Sequence, residues 1–112
     1  MSRVTLESND AFHLNIRNRM TWGTNIQALA GNITIDADAP VLNFLDTGGV
    51  ARTVLMPPPV RGRMFIFYNT SAGAFALNIK KLDGTTNAVA VAQGKGAYLF
   101  SDGVDWYGAP FA

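Results

Sequence analysis

The one histidine, His13, is the only side chain here that ordinarily titrates near neutrality. Any base-activated nucleophile would have to be built around it. It stands in a polar opening segment, on the outward phase of an alternating stretch, where an imidazole is an ordinary surface group. Asp36 and Asp38 form an Asp-x-Asp pair, two oxygens' worth of a hard-cation site. No loop glycine or bidentate glutamate follows at calcium-loop spacing, so a strand running into a solvated turn fits better. Asp102 and Asp105 have the chemistry of a glycosidase pair. The only glutamate is Glu7, however, and no other acid is placed to tune them, so they read as turn formers. Gly94-Lys95-Gly96 and Gly48-Gly49 lack the rest of any phosphate-binding motif and also read as turns. The absence of cysteine removes disulfides, thiolate catalysis and cysteine-ligated zinc together. These residues point to no enzyme, no catalytic or metal-ligating set and no cofactor.

The elements that would position such residues are strands. Apolar residues recur at every second position. Phe12, Leu14 and Ile16 alternate with His13, Asn15 and Arg17, and Ile33 and Ile35 with Thr34 and Asp36. Phe75, Leu77 and Ile79 alternate with Ala76, Asn78 and Lys80, and Val89 and Val91 with alanines. A period of two puts one set on a buried face and the other outward. Met64-Phe65-Ile66-Phe67-Tyr68 does not alternate, which predicts a central strand either covered on both faces or used for contact on one. The stretch from Asn25 to Ala30, ended by Gly31, is the single helical candidate and is too short to hold alone.

Turn chemistry agrees. Asp102-Gly103 between Tyr98-Leu99-Phe100 and Val104-Asp105-Trp106 predicts a tight type I′ hairpin. Asp83-Gly84 predicts a second hairpin, and Asp46 to Gly49 and Asn69 to Gly73 predict longer turns. Pro57-Pro58-Pro59 cannot sit inside a sheet and predicts an extended link. About eight short strands at this spacing predict an all-β fold. The first choice is an antiparallel β-sandwich, jelly-roll-like, over residues 26–112, preceded by an extended N-terminal arm over residues 1–25. Phe65, Phe67, Phe100 and Trp106 are its expected core, with Tyr98 beside them and Asp102 and Gly103 making the last turn.

A chain of 112 residues with 48% hydrophobic and 15% charged residues folds as one domain with more apolar surface than a lone monomer comfortably exposes. A net charge of +1 offers no field for nucleic acid. The arginines fall in two loose groups, Arg3, Arg17 and Arg19, then Arg52, Arg61 and Arg63. They read as solvated surface, or as partners for carboxylates on a neighbour. The opening MSRVTLESND has no signal-peptide pattern, and no stretch approaches a membrane span. In the arm, Arg3, Val4, Leu6, Phe12, Leu14, Ile16 and Arg17 suit addition to another chain's sheet edge. Met20 and Trp22 suit anchoring there.

One stretch, about residues 45 to 108, carries Leu45-Asp46-Thr47-Gly48-Gly49, Arg52-Thr53-Val54-Leu55-Met56-Pro57 and Phe65-Ile66-Phe67-Tyr68-Asn69. It continues through Leu82-Asp83-Gly84 to Phe100-Ser101-Asp102-Gly103-Val104-Asp105-Trp106. It resembles small β-structured virion proteins of tailed bacteriophages: head decoration or cement proteins, and related head-fibre and tail-fibre tip modules. The resemblance implies a homotrimer, made in the host cytoplasm, that sits on the outer capsid surface. There it would bind the major capsid protein and bridge capsomers. It brings no catalytic residues. The fibre-tip branch implies a receptor- or glycan-binding module instead.

Overall fold

A computed structural model of the chain describes residues 22–111. Nine strands run through them: β1 Thr24–Ala28, β2 Ile33–Thr34, β3 Leu42–Asp46, β4 Arg52–Leu55 and β5 Met64–Asn69, then β6 Leu77–Lys80, β7 Asn87–Val91, β8 Gly96–Ser101 and β9 Trp106–Phe111. The described residues contain no helix, and the short helical candidate at Asn25–Ala30 lies largely in β1. The arm boundary at residue 25 falls inside β1, so Thr24 and Asn25 belong to a sheet.

Two mixed sheets result, ordered β9-β8-β5-β3-β1 and β2-β4-β6-β7. The chain alternates between them from β1 to β6. Each return to a sheet runs in the same direction as before, so β1–β3, β3–β5, β2–β4 and β4–β6 are all parallel. This overturns the antiparallel jelly-roll expectation. Alternation shows which side chains are buried but not which way the neighbouring strand runs. A parallel pair needs a long crossover, and here the strand in the opposite sheet is part of that crossover. Only β7, β8 and β9 reverse direction.

The inner faces pack on one another. Ile33, Val54, Ile79 and Val89 stand in register across the four-stranded sheet, a β-branched row that fits a pleated buried surface. Leu45, Phe65, Phe67, Ala97, Leu99 and Trp106 face them from the other sheet, fully buried. Each large apolar side chain contributes about 1.5–3 kcal/mol by leaving water. Trp106 packs on Phe65 at 5.6 Å between ring centroids, and its Nε1 donates to the carbonyl of Pro57 at 2.7 Å. The proline link between β4 and β5 thereby satisfies the one polar atom of the largest core residue. At Gly108 a Cβ would stand 2.7 Å from Val89, so glycine lets β9 lie against β7 and close the seam between the sheets.

Buried polar groups tie the turns of successive layers together. Asn69 Nδ2 donates to the carbonyls of Phe75 and Val91 at 2.8 and 2.9 Å. Its Oδ1 accepts from the backbone N–H of Ser71 at 3.0 Å. Ser71 Oγ donates to Thr47 Oγ1 and accepts from the Thr47 N–H. Asn43, 1% exposed, donates to the carbonyls of Pro40 and Val41 and accepts from Asn25, its register partner in β1. Each buried amide is therefore partnered, as burial requires.

Candidate functional site: an outward aromatic sheet face

The residues first considered for chemistry are turn and surface groups. Asp102 Oδ1 accepts from the N–H of Asp105 and of Val104, which holds its carboxyl below the ordinary range. Asp105 accepts from Lys81 Nζ at 2.9 Å, which lowers the aspartate and raises the lysine. Glycosidic general acids need a raised carboxyl, so this pair has the wrong tuning. The hairpin itself forms, with β8 and β9 joined by residues 102–105. Four residues separate the strand ends instead of the two of a type I′ turn. Gly103 takes φ 95° within a loop capped by the Asp102 carboxylate. Asp83 is held at about 2 by the backbone N–H groups of Thr86 and Thr85 and by the Thr86 hydroxyl, fixing the β6–β7 hairpin. Asp36 and Asp38 lie in the turn after β2, closed by the Ala39 N–H donating to the Asp36 carbonyl, and no cluster of three metal-ligating side chains occurs among the described residues. Gly94 and Lys95 make the turn between β7 and β8.

The arginines split. Arg52 Nε donates to the carbonyl of Thr47 at 2.9 Å, and Arg63 donates to the carbonyls of Ala37 and Ala39 while its guanidinium covers Phe65. Both clamp this chain's own loops; Arg61 is exposed. Of the expected arm residues, Arg3, Val4, Leu6, Phe12, Leu14, Ile16, Arg17 and Met20 lie outside the described residues, as do His13 and Glu7. Trp22 is 42% exposed.

What the fold does assemble is a face. The outward side of the five-stranded sheet carries Ile26, Phe44 and Tyr68 in one cross-strand row, continued at Gly96 by the ring of Phe111 lying over it. A second row holds Leu42, Ile66 and Tyr98, and a third Met64, Phe100 and Tyr107. Tyr98 sits 4.7 Å from Phe111 and 6.1 Å from Phe100. Ile26, Tyr107, Phe100 and Tyr98 are 80%, 53%, 46% and 39% exposed. No charged side chain stands in the three rows. Asp46 continues the outward side of β3 beyond these rows, its Oδ1 accepting from the Gly48 N–H. The third row is bordered at Tyr107 by Asp102 and by Lys81, whose Nζ lies 5.3 Å from the Tyr107 ring centroid and pairs with Asp105.

Phe65, Phe67 and Trp106 are in the core as expected, but Phe100 and Tyr98 are not. The signal was present in the pairing. With either a two- or a four-residue loop after Ser101, Trp106 shares a face with Leu99, which turns Tyr98 and Phe100 to the opposite side. Ring size alone argued for burying all three, and cross-strand parity forbids it. β5 is central, with Phe65 and Phe67 inward and Met64, Ile66 and Tyr68 half-buried on the outward face.

No family model matches the chain, and comparisons with curated proteins and with solved structures find no match.

Proposed function

We propose that this chain is a structural virion protein that binds the outer surface of a phage capsid and stabilises it by bridging capsomers. The observation that supports this best is the aromatic face of the five-stranded sheet, a surface suited to the homotrimer that bridging several capsomers needs. Large exposed apolar patches mark interaction surfaces. The groups with reactive potential among the described residues are spent on turns. In this reading the chain is a non-enzymatic homotrimer, and the residues preceding β1 form an extended arm that joins the sheet of the major capsid protein. A trimer contacting several equivalent shell sites gains strength through effective concentration, so modest contacts suffice.

Shells lacking the protein, mixed with it and sedimented, test the reading directly. Co-pelleting and a raised shell melting temperature are expected; a chain left wholly in the supernatant rejects it. Deleting residues 1–20 is expected to keep the far-ultraviolet β signal and weaken pelleting. A fibre-tip reading draws support from the paired exposed rings of Tyr98 and Phe100, since aromatic platforms also stack sugars. Binding on a glycan array with no shell binding would favour it.

A further inference from the structure

We infer that the outward face of the five-stranded sheet is where copies of this chain pack against one another. This rests on the self-association in the reading above and not on the shell.

The first ground is size. A large aromatic side chain offers about 150–250 Å². At their fractional exposures, Ile26, Tyr98, Phe100 and Tyr107 alone leave on the order of 400 Å² of apolar surface in water. The half-buried residues between them, Phe44 and Ile66 among others, bring the face above the largest patch a monomer usually shows, about 300–600 Å². It then approaches the roughly 800 Å² per partner of a stable protein interface.

The second ground is charge. The three rows hold no ionised group of their own, and the charges that border them at Tyr107, Lys81 and Asp105, already pair with each other at 2.9 Å, so the charges of a charged partner would lose water with little return. A second copy presents the same uncharged rings and leaves no charge stranded. Of the cations near the sheet ends, Arg52 and Arg63 donate to carbonyls of their own chain and Lys81 pairs with Asp105, while Arg61 is exposed beside the β8–β9 loop. Shell contact then falls to surfaces other than this one.

The test is equilibrium sedimentation of the full chain across a range of concentrations, with shell pelleting run in parallel. The wild type is expected at a multiple of 12.0 kDa. The double variant Tyr98→Lys with Phe100→Lys is expected at the single-chain mass, with the near-ultraviolet signal of Trp106 retained. Thr53→Lys with Asn78→Lys, on the outer side of the other sheet, is expected to stay assembled. A wild type that sediments as one chain overturns the inference, even if it still pellets with shells. A double variant that stays assembled but no longer pellets also overturns it, because the face then serves the shell. If the double variant fails to fold, Ile26→Lys decides: at 80% exposure it leaves the core untouched, and an unchanged mass overturns the inference. Assembly that depends on this face without any shell binding overturns the capsid reading alone.

Discussion

The two sheets have inner faces of one kind and outer faces of two kinds. Both inner faces are apolar rows in register. Outside the four-stranded sheet stand Thr34, Thr53, Asn78, Lys80 and Ala90, mostly polar or small as expected against water, with Leu55 the one large apolar side chain among them. Outside the five-stranded sheet the same strand period presents Tyr, Phe, Ile and Met. One outer face is thus finished by solvent, while the other keeps the composition of a core. A sheet wetted on one side normally alternates apolar with polar residues, so the exception marks where this molecule spends its surface.

The contrast can be broken most forcefully from beneath. Trp106→Ala is expected to destabilise the fold by about 3–5 kcal/mol in a urea melt, as large aromatic truncations do. It should loosen the β8–β9 hairpin, which supplies Tyr98, Phe100, Tyr107 and Phe111 to the aromatic face. Asn69→Ala strands the carbonyls of Phe75 and Val91 and should cost about 1–3 kcal/mol by the same measurement, through the polar stitch between layers. On the surface the two faces should part company. Tyr98→Lys is expected to change monomer stability by less than about 1 kcal/mol, yet to shift sedimentation. Thr53→Lys should shift neither. The smallest effect is in acid. The Asp83 carboxyl is depressed from 3.8 to about 2, so its contribution is present above the unfolded value and is lost as pH falls from 3.8 through about 2. Asp83→Asn should flatten that part of an acid-unfolding curve and leave it unchanged near neutrality.

Much of the strand content was legible because alternation survives in Ile33–Ile35, Leu77–Ile79 and Val89–Val91. Both Asp-Gly hairpins were legible too, because their side chains and glycines act within a few residues. The parallel stacking was not. Which strand lies beside β3 depends on contacts between Leu42 and Ile66, far apart in sequence, and no local pattern encodes direction. The aromatic face was half legible. The lack of alternation in β5 points to it, while the ring size of Tyr98 and Phe100 favours burial and their pairing parity with Trp106 places them outward.

The parallel courses have a mechanical consequence. Thr24 lies beside Leu42, eighteen residues on, and Arg52 beside Leu77, twenty-five on, so the joining loops absorb changes of length without disturbing the stack. A polypeptide laid this way can grow in whole increments of about 4.8 Å, the spacing between neighbouring strands. Each inserted increment would raise the reversing β7–β9 cap as a unit. A chain of this course could therefore be lengthened layer by layer without redesigning either end.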